Sequence, residues 1–282
     1  MNRFRRLSVA LAVTGVLGVA APAAASAATT TVTISGATAS YPLVSLLAQK
    51  YVKLFPRKYK FKIDQGGAQI GINDVAAGRV TIGDVSRDPL PTDPAGLVFY
   101  PIAKYGICVV TNKANTLGNL TPAQVTSIFT GKTSSWAQVP GATATGTIDL
   151  ISRTSVAGVL TTFQNTLLGG SKVGSFATQE ASEGLMQNAV KKDPSGIGFL
   201  SDYFALTKGI NAVAYNGTAC SVANVVSGTY PGVSDFYEVS KGPASGQNEA
   251  FIYWIQSSAA AKKIIESNWI PLGKILPAVK SP

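Results

Sequence analysis

Three times in this chain of 282 residues, an apolar run of strand type ends in a loop of small and hydroxyl-bearing residues that opens directly into a helical pattern. The loops are Ser35-Gly36-Ala37-Thr38-Ala39-Ser40-Tyr41-Pro42, Gln65-Gly66-Gly67-Ala68-Gln69 and Ser152-Arg153-Thr154-Ser155-Val156-Ala157-Gly158. Strands that alternate with helices in this way predict an α/β fold with substantially parallel sheets, whose carboxyl ends gather around one crevice. Each junction also leaves unpaired N–H groups at the positive end of a helix, and small residues let an anion approach that backbone. An arginine in the third loop and Ser86-Arg87 at the end of another strand direct the set toward an oxyanion. No loop follows the Gly-x-x-x-x-Gly-Lys-Ser/Thr pattern, so nucleotide hydrolysis is not indicated.

Periodicity fills in the elements. Strands are predicted over 31–34, 61–64, 80–85 and 148–152, and the apolar run 107–110 reads as a buried strand. Leu43, Leu47, Tyr51 and Leu54 recur at helical spacing behind Pro42. A short helix is expected over 69–77. Thr121-Pro122-Ala123-Gln124 carries the N-cap, first-turn proline and capping-box glutamine of a helix that should stop at Gly131. Val156, Leu160, Phe163 and Leu167 make one helical face, and a last helical pattern runs from Phe251 through 259–266. Trp136 and Trp254 read as core residues.

Composition narrows the chemistry. The chain has no histidine, which excludes Ser-His-Asp and Cys-His nucleophile systems and His-ligated zinc. Two cysteines cannot close a four-cysteine metal site, and no enzymatic centre, cofactor or metal is expected. Residues 1–27 read as a signal peptide: Arg3, Arg5 and Arg6, then an apolar run over 7–20, then Ala25-Ser26-Ala27. No cysteine lies near that cleavage site, so the product is expected outside the cytoplasmic membrane without a lipoprotein anchor. Removing the leader takes three of the 24 basic residues and none of the 14 acids, leaving a net charge of +7. The excess is scattered, and the Lys58, Lys60, Lys62 alternation looks like the wet face of a strand, so no nucleic-acid partner is expected. Export permits a Cys108–Cys220 disulfide; the alternative is a pair of buried thiols.

With these segments in view, the sequence resembles the periplasmic phosphate-binding proteins of bacterial phosphate ABC transporters, within the type II solute-binding fold. The resemblance is carried by the first loop, by the run 78–87 ending in Ser86-Arg87, by Pro101-Ile102-Ala103, by 120–136 with its capping box and Trp136, by the segment from Ser152-Arg153 to Phe163, by 194–199 and by 225–231. It implies a two-lobed α/β protein, each lobe a mostly parallel sheet flanked by helices, with the ligand in the cleft between lobes. Residues 28–102 and 230–282 would form the first lobe and 103–229 the second. Both cysteines would then staple the second lobe and leave the hinge free. Inorganic phosphate or a similar oxyanion and an ABC permease are the implied partners, and a monomer is expected.

Carried over position by position, Thr38, Ala39, Ser40 and Tyr41 would contact the anion, Ser86 and Arg87 would supply a second set, and Arg153 would grip two of its oxygens. Gly158 would offer a backbone N–H. Ser40 has an alternative as a plain helix cap, Arg153 as a surface ion pair. Asp84 and Asp88 are candidate acceptors for the proton that monohydrogen phosphate carries and sulfate lacks. The family usually has Ser-Gly where this chain has Ala68-Gln69, and Ser-Gly-Thr where it has Ala157-Gly158-Val159, so three side-chain hydroxyls are missing. An exported binding module of the same fold with a degenerate cleft, acting in sensing or adhesion, is the alternative function.

Overall fold

The computed structural model describes residues 29–281; the signal peptide read over 1–27 lies outside them. The strands are β1 (Thr30–Gly36), β2 (Tyr59–Gln65), β3 (Ile82–Val85), β4 (Leu97–Asn112), β5 (Asn119–Leu120), β6 (Asp149–Arg153), β7 (Thr178–Glu180), β8 (Gly196–Ser201), β9 (Ile210–Tyr215), β10 (Val233–Lys241) and β11 (Val279–Lys280). The helices are α1 (Tyr41–Leu54), α2 (Ala68–Ala76), α3 (Pro122–Phe129), α4 (Gly158–Thr166), α5 (Glu183–Lys192), α6 (Asp202–Ala205), α7 (Val222–Val226), α8 (Gly246–Ser257) and α9 (Ala259–Asn268).

The strands join in the order β2-β1-β3-β10-β4-β8-β6-β7, with β9 and β11 also pairing β4 and β5 pairing β9. At one end β2, β1 and β3 run parallel, and at the other β8, β6 and β7 do. The mostly parallel expectation describes these outer halves. Between them β10 and β4 are antiparallel to their neighbours. Strand β4 pairs with β10 along 97–106 and with β8 and β9 along 107–112, so one strand of 16 residues serves both halves. Fourteen of those residues are buried, which is why it reads as a continuous apolar run without alternation.

Helix α1 turns Leu43, Val44, Leu47, Ala48 and Tyr51 inward, and α3 carries the Thr121–Gln124 capping box. The last helical pattern divides in two. Ser258 is extended (φ −82°, ψ 132°) and its hydroxyl accepts from the Ala260 N–H at 3.1 Å, ending α8 and capping α9. Trp136 is buried with its indole N–H on the Ser195 carbonyl at 3.0 Å, and Trp254 packs on Tyr51. Cys108 of β4 and Cys220 before α7 are disulfide-bonded, with Cα atoms 5.5 Å apart.

Candidate functional site

The three loops meet. At Gly36 (φ +145°) the backbone runs so close to the Asp84 carbonyl that no side chain fits. The Gly36 carbonyl accepts from the Gly66 and Gly67 N–H groups at 2.9 and 2.8 Å, which ties the first loop to the second. The Gln69 N–H donates to the Val156 carbonyl at 3.0 Å, which ties the second to the third. Thr38 closes the ring: its hydroxyl oxygen accepts from Arg153 Nη2 at 3.0 Å and from the Glu183 N–H at 3.2 Å. A Cβ on Gly158 would stand 2.7 Å from both the Ser86 carbonyl and the Ser86 hydroxyl, and 2.8 Å from Ala68 Cβ.

Thr38, Ala68, Gln69, Ser86, Arg87, Arg153 and Gly158 are thereby brought together, and Ala39, Ser40 and Ala157, beside them in the chain, are buried. Helices α1, α2 and α4 all begin there, and none has a side-chain hydrogen bond on its N-cap. Three positive helix ends converge with no side-chain oxygen to complement them, an arrangement that favours an anion.

Both arginines are 2% exposed and already engaged. Arg87 makes a two-pronged ion pair with Asp93, at 2.9 and 2.6 Å, and its remaining donors reach the Gln69 side-chain carbonyl and the Asp88 carbonyl, each at 2.9 Å. Arg153 donates to Glu183 at 3.3 Å, to the Glu180 and Ala181 carbonyls at 3.0 and 3.1 Å, and to Thr38. Burial lowers the Arg153 guanidinium from its ordinary value, opposed by Glu183, and burial raises Glu183, opposed by Arg153 and by the Ser201 N–H and hydroxyl. The Ser201 groups donate to Glu183 Oε2 at 2.9 Å each, so the carboxylate is the form this site solvates. The surface ion-pair alternative for Arg153 does not hold, since its partner is buried too.

Ser40 does not cap α1. Its hydroxyl turns inward and donates to Asp84 Oδ1 at 2.5 Å. Tyr41 is the first residue of α1, and a surface groove there includes Ser45, Phe61 and Ile63. Asp88 accepts from the Tyr237 hydroxyl at 2.8 Å. Sequence reasoning missed Asp93 and Glu183, the counterions of the two arginines, and the Val156 carbonyl that binds the second loop. Asp93 sits in an irregular proline-flanked segment without periodicity; Glu183 follows the N-cap Ser182 and reads as an ordinary first-turn acid.

A mixed sheet with three helix ends at one crevice has the architecture of the type II periplasmic-binding-protein fold, and the chain belongs to the PBP superfamily, whose domain matches residues 21–259. Among its relatives is the phosphate-binding protein PstS of Bacillus subtilis (strain 168), 27% identical over 248 residues, 85% of this chain and 80% of that one. A putative phosphate ABC transporter substrate-binding protein from Clostridium perfringens, solved with bound phosphate, superposes with a TM-score of 0.81 at 26% identity, covering 86% of this chain and 100% of that one. An ABC-type phosphate transport receptor from Vibrio cholerae gives a TM-score of 0.71 at 25% identity, with the same coverage.

Proposed function

We propose that this chain captures phosphate or a related tetrahedral oxyanion where the three loops meet, and delivers it to an ABC permease. The observation that carries the proposal is the convergence of three uncapped helix N-termini beside the buried Arg153. The relatives solved or named as phosphate-binding proteins support the choice of anion. In this proposal residues 28–102 and 230–282 act as one lobe and 103–229 as the other, hinged where β4 and β10 pair. Thr38, Gln69 and Ser86 belong to the first lobe; Arg153, Val156, Glu183 and Gly158 belong to the second. Their mutual contacts are then those of a closed cleft. The protein is exported, works as a monomer without a lipid anchor, and carries out no chemical step on its ligand.

Because Asp93 and Glu183 neutralise the arginines, binding rests mainly on backbone N–H groups and helix ends. Each hydrogen bond to a charged ligand is worth about 1.5–3 kcal/mol, so the missing hydroxyls at Ala68, Ala157 and Val159 should make affinity modest beside that of hydroxyl-rich relatives. The same three residues favour one second reading, a cleft turned to sensing or adhesion. Isothermal titration with phosphate, sulfate and molybdate separates the two. Saturable phosphate binding, accompanied by a change in the fluorescence of Trp269, which stacks on Tyr203 at 4.7 Å across the proposed lobes, supports uptake. No response at millimolar concentration would refute it.

A further inference from the structure

Beside the crossing of β4 lies a cavity of about 640 Å³ that the anion site does not use. The Lys104 N–H of β4 donates to the Ile270 carbonyl at 2.7 Å, and a little further along the strand Ile107 pairs with Ser201. Trp269 and Asp202, the chain neighbours of those two partners, both line the cavity. In the lobe division proposed above, Trp269 belongs to the first lobe and Asp202 to the second. Tyr203 stacks on Trp269 at 4.7 Å, and Phe204, Leu206 and Val222 add apolar wall. The polar lining is acidic in a basic chain. Asp202 and Glu266 contribute to it, and among the described residues no lysine or arginine does. Glu266 meets Lys262 only at the surface, at 3.6 Å, a weak pair. Asp202 is 3% exposed and its Oδ2 has no hydrogen-bond partner; burial raises its carboxyl to about 7, opposed by the nearby Gly106 and Tyr203 N–H groups. The neutral side chains turn their hydrogens into the wall. Gln187 Nε2 donates to the Phe204 carbonyl and to Thr207 Oγ1 at 2.6 and 3.1 Å, Thr207 to the Phe204 carbonyl at 3.0 Å, and Ser267 to the Ile264 carbonyl at 2.7 Å. What they leave for a ligand is lone pairs. The exception is the Trp269 indole N–H, a donor on a side chain 3% exposed, which has no partner.

A buried carboxyl without a counterion and a buried donor without an acceptor are each costly. A ligand that answers both carries a cation for Asp202 and an oxygen for Trp269. Two carboxyl groups are too few to replace the oxygen shell of a hard metal ion, and no larger cluster of metal-binding side chains occurs among the described residues. Aromatic rings and apolar wall suit an organic ammonium instead. We propose that this cavity is a second ligand site, for a small amino alcohol whose ammonium pairs with Asp202 and whose hydroxyl oxygen accepts from the Trp269 N–H, and that such a ligand favours the closed cleft. Its two anchors lie on different lobes, so it holds the arrangement in which the anion loops are in contact, and the amine and phosphate strengthen each other's binding. This coupling rests on the two-lobe reading above. The two sites also share the end of β8: Ser201, next to Asp202, donates twice to Glu183, the counterion of Arg153.

The test is titration of the full mature protein at pH 8 with ethanolamine, ethylamine, ethylene glycol and sodium chloride, read by tryptophan fluorescence and calorimetry, with and without saturating phosphate. Ethanolamine should bind saturably, ethylamine about 5-fold more weakly for want of the oxygen, and glycol and sodium chloride should give no response. Asp202→Asn should weaken ethanolamine about 10- to 100-fold and leave phosphate affinity in its absence within about twofold. Leu206 is exposed at the cavity wall, so Leu206→Lys places a positive charge there without touching the core, and it should weaken ethanolamine as well. Saturating phosphate should tighten ethanolamine about 3- to 10-fold, and ethanolamine should tighten phosphate by the same factor. Wild-type ethanolamine affinity in both variants would place the amine elsewhere and overturn the site; binding with no mutual effect would overturn the coupling. Phosphate binding with no saturable response to ethanolamine at tens of millimolar would refute this inference alone. Ethanolamine binding to a protein that ignores phosphate would remove the anion site and the coupling, and leave the cation site standing.

Discussion

Alanine at position 158 is the cleanest probe of whether the loops must close on one another. Gly158 is the first residue of α4 and its φ lies outside the left-handed region, so alanine is compatible with the backbone and retains the N–H. What changes is one methyl. It would sit 2.7 Å from the Ser86 carbonyl and hydroxyl and 2.8 Å from Ala68 Cβ, all on the facing loops. Those are backbone and short side-chain atoms that cannot swing aside, so relief requires the loops to part by roughly an ångström. Overpacking of this kind costs about 1–3 kcal/mol. If closure is coupled to binding, that penalty falls on the bound form and should weaken phosphate affinity about 5- to 150-fold, at about 1.4 kcal/mol per decade. Isothermal titration gives the affinity, and small-angle scattering with and without phosphate gives the compaction, which should be smaller in the variant. Wild-type affinity together with wild-type compaction in Gly158→Ala would show that the close approach of Gly158 to Ser86 plays no part in binding.

Other outcomes follow from buried charges and the cross-link. Asp93→Ala should cost about 3–5 kcal/mol in a denaturant titration, since it leaves the buried Arg87 without its counterion; Arg87→Met with Asp93→Leu should cost distinctly less. Reducing the Cys108–Cys220 bridge, or replacing both residues with serine, should lower unfolding stability by about 2–5 kcal/mol, because it closes a loop of 112 residues in the unfolded chain. Asp202, raised by burial from 3.8 to about 7, binds a proton more tightly folded than unfolded. Its contribution is therefore fully present below about pH 3.8 and lost as pH rises to about 7. Chemical denaturation at pH 5 and pH 8 should show wild type less stable at the higher pH, with the slope reduced in Asp202→Asn; an unchanged slope would remove Asp202 from the account.

Much of this architecture is written locally. Pro42 and the 43–47–51 spacing specify α1, Thr121 and Gln124 specify the start of α3, and the small-residue loops after β1, β2 and β6 mark where helices begin, because caps, turns and periodicity depend on neighbours in the chain. The residues of the candidate site were legible for the same reason: most lie where a strand runs into a helix, Ser86 and Arg87 where β3 ends, and the carboxyl ends of such strands gather together. What those residues do there was decided elsewhere. Sequence could pick out Arg87 and Arg153 but not Asp93 and Glu183, which answer them from six and thirty residues away. It named Ser40 but not the direction of its hydrogen, which is set by Asp84, 44 residues along. The run of apolar residues in β4 announced a buried strand without saying that it is shared by two sheet halves. Local conformation follows from φ, ψ and the nearest side chains. The protonation and hydrogen-bond sense of a buried group follow from whichever distant groups the chain folds against it, and only the tertiary structure supplies those.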